Sequence, residues 1–211
     1  MIIEICATSI ESILNAENAG AHRLELCQNY SIGGVTPSEQ FLHEAIKVSS
    51  LPINVLIRPK GGDFIFNDKE YDLMINKINL FKVYNVKGFV IGFMEKDRSL
   101  NSDILSEFRK ITKGFELTFH RAFDFLANQE ESLELLIEKD FNRILCSGHK
   151  LSAEKGLENL INYNKISNGR TTIMPGGDIN LDNFQKFKNS SFNEIHPVSY
   201  THLRAHETSI D

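Results

Sequence analysis

Short apolar runs alternate with longer amphipathic ones from one end of the chain to the other, and this alternation restricts the fold more than any other feature. Ile2–Ala7 reads as a strand and Ser9–Ala19 as a helix, with Ile10, Ile13 and Leu14 at helical spacing behind the N-cap candidates Thr8 and Ser9. The unit recurs as Arg23–Cys27 with a helix from Ser38 to Val48. It recurs again as Ile53–Ile57 with the stripe Tyr71, Met74, Ile75, Ile78 and Phe81. Four more strands, Gly88–Gly92, Phe115–His120, Asn142–Cys146 and Thr171–Met174, are followed in turn by helices at Asp103–Lys113, Gln129–Lys139, Ala153–Tyr163 and Leu181–Phe187. Phe192–His196 is the last strand. Eight strands spaced as right-handed βαβ units predict an α/β fold, a closed parallel TIM (β/α)8-type barrel. An open doubly wound sheet is the weaker reading, because its first turn is usually glycine-rich and this one is Ala7-Thr-Ser9.

The barrel is assigned to residues 1–196 as a single domain, within reach of one core for a chain of 211 residues that is 41% hydrophobic. Residues 197–211 carry no apolar stripe able to cover the last strand, so the barrel is expected to lack a regular eighth helix. The run 199–208 also resembles the translation of a sequencing-library adapter and looks non-native. His202 and His206 are therefore not counted as metal ligands despite their i, i+4 spacing. A net charge of -5 with scattered Lys and Arg argues against nucleic-acid and anionic-membrane partners. No apolar run approaches the roughly 20 residues of a membrane span, and Met1 leads straight into a strand without a signal-peptide layout, so a cytoplasmic location is expected. Three distant cysteines fit free thiols in a reducing compartment.

Polar residues gather where the apolar runs end. Along Phe115-Glu-Leu-Thr-Phe-His-Arg-Ala-Phe-Asp124, Thr118 and His120 share one face and Leu117 and Phe119 the other, with Arg121 just beyond. Glu4 and Cys6, Glu25 and Cys27, Arg58, and His196 occupy comparable positions on other strands. The segments Glu4-Ile-Cys-Ala7, Gly20-Ala-His-Arg-Leu-Glu-Leu-Cys27, Gly33-Gly-Val-Thr-Pro-Ser38, Arg58-Pro-Lys-Gly-Gly-Asp-Phe64, Thr118-Phe-His-Arg-Ala-Phe-Asp124, Arg143-Ile-Leu-Cys-Ser-Gly148 and Ile173-Met-Pro-Gly-Gly177 resemble, in order and spacing, the CutC family of copper homeostasis proteins. That resemblance implies a cytosolic TIM barrel, often a homo-oligomer, with a proposed copper(I) site and no assigned reaction. His22, Cys146 and Asp178 stand where the family usually has Asp, Thr and Gly.

Two chemistries stay open. Glu4, Glu25, Arg58, His120, Arg121 and His196 are candidate catalytic residues for a lyase or isomerase that transfers protons on a small anionic metabolite. Arg58 and His120 are the partners expected to neutralise the buried glutamates, and the same group also reads as an ion-pair plug filling the barrel. Cys6 and Cys27, on adjacent strands at similar height, are candidate ligands for copper(I), which prefers sulfur; Cys146, His120 and Met174 are more distant candidates. Gly176 and Gly177 occupy the position where many such barrels grip a phosphate, although Asp178 beside them would repel it and reads equally as a helix cap.

Overall fold

The computed structural model describes residues 1–197, so the expectations for the tail, including His202 and His206, fall outside the described residues. In chain order the elements are β1 (Ile2–Ala7), α1 (Ile10–Asn18), β2 (Arg23–Leu26), α2 (Glu39–Val48), β3 (Ile53–Leu56), α3 (Asp68–Phe81), β4 (Gly88–Ile91), α4 (Ser102–Ile111), β5 (Glu116–Phe119), α5 (Gln129–Glu138), β6 (Arg143–Cys146), α6 (Leu157–Ser167), β7 (Thr172–Pro175), α7 (Phe184–Asn189) and β8 (Glu194–Ile195). From β1 to β7 each strand pairs in parallel with the next, β1 also pairs with β8, and a parallel bridge between Gly176 and His196 joins the two ends of the sheet. The ring closes where the His196 amide donates to the Pro175 carbonyl at 2.8 Å. This is the expected TIM-type barrel, and no helix follows β8 among the described residues.

Side-chain alternation sorts each strand into an outer and an inner set. Leu24 and Leu26, Val55 and Ile57, Phe89 and Ile91, Leu117 and Phe119, and Ile144 and Cys146 face the helices in one large apolar cluster. Truncating one of its fully buried rings, such as Phe119, costs about 3–5 kcal/mol. Ile3 and Ile5 on β1 are only half-buried. The first five helices begin at side-chain caps: Ser9 accepts from the Ser12 amide, Ser38 from Phe41, Asn67 from Glu70, Asn101 from Ile104 and Asn128 from Glu131. α6 starts at Leu157, four residues later than its pattern suggests, because Gly156 is pressed against the β6 loop. A Cβ there would lie 1.9 Å from the Ser147 carbonyl oxygen. No helix among the described residues is long and apolar enough to cross a membrane.

Candidate active site at the barrel mouth

The inner set is polar where most barrels are aliphatic. Near the strand N-termini, Glu4 and Arg23 are register partners on β1 and β2. The Arg23 Nε donates to Glu4 at 2.5 Å and its Nη2 to Glu194 at 2.5 Å. Arg143 reaches the same Glu194 at 2.7 Å and Glu116 at 2.6 Å, and Lys87 pairs with Glu116 at 3.0 Å. Asn54 and His196 also donate to Glu4, each at 3.0 Å. Burial alone would raise the Glu4 carboxyl, but the His196 hydrogen bond and the Arg23 charge hold it down at about 2. This floor is an ion-pair plug, and each charge in it has an opposite charge within 3.0 Å.

Above the plug lies a cavity of about 300 Å³ at the C-terminal ends of the strands. Cys6, Glu25, Cys27, Arg58, His120 and His196 line it, with Phe64, Arg121 and Gly177 nearer the rim. Glu25 Oε2 is buried without a hydrogen-bond partner, and no cation forms an ion pair with the carboxyl among the described residues. Burial pushes its pKa up to about 7, with the Glu4 charge adding to the effect and His196 opposing it. His196 is pulled the other way: burial lowers its pKa, but the Glu4 hydrogen bond and the Glu25 charge raise it above the ordinary value. Glu4, Glu25 and His196 also bring three ligand atoms within 4.8 Å of one another.

Arg58 serves the loops. Its Nη1 donates to the carbonyls of Ile32, Gly33 and Gly34, and its Nη2 donates to Gly62 at 2.7 Å. Gly33, with φ at +85°, makes the approach feasible, since a Cβ there would meet Arg58 Nη1 at 2.9 Å. His120 accepts from the Ala122 amide on Nδ1 at 3.1 Å, which leaves the proton of the neutral ring on Nε2. That Nε2 is buried and unpartnered. Burial, together with the Arg58 charge, lowers the His120 pKa to about 3, so the ring is neutral. Gly92 opens the space for it, because a Cβ there would fall 2.2 Å from the ring. At the rim Arg121 pairs with Asp124 at 3.1 Å and donates to Ser147 at 2.9 Å.

The Cys6 and Cys27 sulfurs are 2.8 Å apart, packed with Leu56 and Val90 inside the barrel. The hydrogen bond with Cys27, followed by burial, raises the Cys6 thiol well above its ordinary pKa.

Several sequence expectations are corrected by these positions. Arg58 and His120 do not neutralise the glutamates: the first is spent on carbonyls and the second carries no charge. Glu4 lies beneath the cavity and does not line it. Cys146 faces the outer core because Arg143 and Leu145 take the inner positions of β6, and Met174 lies against Arg23 in the plug. The Gly176 amide is used by the sheet, donating to Cys146 at 2.9 Å, and α7 begins seven residues beyond Gly177, so neither that amide nor the α7 N-terminus serves a phosphate at this turn. Sequence reading missed Arg23, Asn54, Arg143 and Glu194, although parity with Glu25 on β2 and with His196 on β8 marks Arg23 and Glu194 as inward.

The family model described as the CutC family matches residues 1–201. A CutC family protein of Pasteurella multocida is 39% identical over 197 residues, spanning 93% of this chain and 81% of that protein. The human copper homeostasis protein cutC homolog is 37% identical over 92% of this chain and 72% of its own length. The crystal structure of a CutC protein from Streptococcus agalactiae superposes with a TM-score of 0.87 at 27% identity, covering 93% of this chain and 98% of that one.

Proposed function

Because this chain belongs to the CutC family, we propose that it is a cytosolic copper(I)-binding protein of copper homeostasis that takes the metal on Cys6 and Cys27. The observation that carries this reading is the meeting of two thiols, 2.8 Å apart, on the wall of the barrel's mouth cavity. Copper(I) selects soft sulfur donors, and a buried thiol pair supplies them away from competing water. The sulfurs touch as they stand, so the metal enters only as thiol protons leave and the side chains turn apart. Glu25, whose charge acts on Cys6, is the nearby carboxyl able to receive a proton. Anaerobic titration with copper(I) against a competing chelator tests this. One equivalent bound per chain and lost in the Cys6→Ser, Cys27→Ser double variant is expected. No uptake, or equal uptake by the variant, overturns it.

A second reading is supported by a different observation. The Glu25 carboxyl, poised at about 7, shares its cavity with Arg58, a buried cation that no carboxylate pairs with among the described residues. A group titrating near neutrality in a cavity that also holds an unneutralised cation suits proton transfer on a small anionic metabolite, as in a lyase or isomerase. Hydrogen–deuterium exchange into small acids in D2O, followed by NMR, should occur with the native protein and stop in Glu25→Gln. Absence of exchange across the acids tried counts against this reading.

A further inference from the structure

The mouth cavity contains two buried donors that the fold itself does not use. Arg58 is 4% exposed and spends four hydrogen bonds on neutral carbonyls, which position the guanidinium without balancing its charge. Its Nε has no partner, and the exposed Asp63 acts on it only as a more distant charge. His120 is 6% exposed, and its Nε2–H also has no partner. Both side chains lie against one ring: the Arg58 guanidinium carbon is 4.7 Å from the Phe64 centroid, and the His120 ring is 4.9 Å from it. A buried cation without a counter-charge and buried N–H groups without acceptors are unfavourable, and an anion in the cavity that both side chains line relieves both.

We propose that this corner of the cavity is a binding site for the carboxylate group of a small organic acid, one oxygen taking the Arg58 Nε–H and the other the His120 Nε2–H. The proposal deepens the proton-transfer reading, since it rests on the same cavity and gives the anion a definite seat near Glu25. Two single N–H donors on two planar groups match the two oxygens of a carboxylate. A phosphate fits less well. Asp178 lines the cavity and repels a dianion, and the Gly176 amide that could have joined a phosphate nest is bonded to Cys146. A volume of about 300 Å³ is at the small end for ligand sites, which suits an acid of a few carbons. Arg121, held at the rim by Asp124, meets the negative charge on its way in. Glu25 lines the same cavity.

Calorimetric titration with glycolate, pyruvate and malonate, with inorganic phosphate as comparator, tests the site. Long-range histidine NMR on the native protein follows the His120 Nε2–H in parallel. At least one acid should bind saturably and more tightly than phosphate, and the His120 resonance should move with the same isotherm. His120→Asn keeps an acceptor for the Ala122 amide and removes the ring donor, and should weaken binding by about tenfold or more. Saturable binding by none of the acids, phosphate binding as tight as theirs, a His120 resonance unmoved at saturation, or full affinity in a folded His120→Asn overturns the proposal. If Glu25→Gln retains carboxylate binding, the site stands. Binding without proton exchange in the native protein then overturns the proton-transfer reading alone.

Discussion

Glu4 and Glu25 stand on neighbouring strands of one barrel, both buried and both facing inward, yet one carboxyl is held at about 2 and the other pushed to about 7. Their surroundings account for the difference. Glu4 belongs to the floor, where Arg23, Asn54 and His196 all donate to it and Arg23 continues to Glu194 and Arg143. Glu25 belongs to the mouth, where burial outweighs the opposing charges of His196 and Arg23 and no cation forms an ion pair with the carboxyl among the described residues. Desolvation is common to both, so the partners decide the sign. In the floor, polar residues replace the aliphatic layers that fill other barrels, and they hold the strands together. In the mouth, the same residue types are left with capacity for something else.

The largest expected effect comes from breaking the floor. Arg23→Met leaves Glu4 and Glu194 without their shared cation and should cost about 3–5 kcal/mol in urea denaturation. A loss below about 1 kcal/mol, the range of a surface pair, would mean the floor is not what holds the barrel.

The mouth should respond in the opposite direction. Because the folded-state pKa of Glu25 lies above its ordinary 4.5, the folded protein keeps this proton longer than the unfolded chain does. Its contribution is therefore complete below pH 4.5 and is lost as the pH rises through about 7. Glu25→Gln removes that loss and should stabilise the protein by about 3 kcal/mol near pH 8, with little gain near pH 4.5. Urea curves at the two pH values decide it, and a destabilising effect near pH 8 would place Glu25 among the paired residues. Gly92→Ala should cost about 1–3 kcal/mol, because its methyl group would overlap the His120 ring. An unchanged denaturation midpoint would mean that the ring is not fixed where the mouth requires it.

Much of this division follows from strand parity. The alternation of Leu117 and Phe119 with Thr118 and His120, or of Ile3 and Ile5 with Glu4 and Cys6, is readable in the chain and places each residue inside or outside correctly. The partners were not readable, because they depend on register around a closed ring. Glu4 lies opposite Arg23 only once β1 and β2 are aligned, and Arg23 meets Glu194 only because β8 returns beside β1. Arg58 was misjudged for a related reason. Its parity is correct, but the loop Gly33–Thr36 folds back over β3 and captures the guanidinium with carbonyls, which no periodicity announces. The turn at Gly176 and Gly177 has the composition of a phosphate loop, but the Gly176 amide is taken by the sheet and the helix that should follow starts only at Phe184.

Carboxyl carbon NMR of the native protein across a pH series, with Glu4 and Glu25 assigned by single Gln substitutions, measures the contrast between floor and mouth directly. The expected result is a Glu25 titration centred near 7 and a Glu4 carboxyl that stays ionised down to about 2. Two titrations that both fall at the ordinary value of 4.5 would contradict it, because the floor and the mouth would then be electrostatically alike.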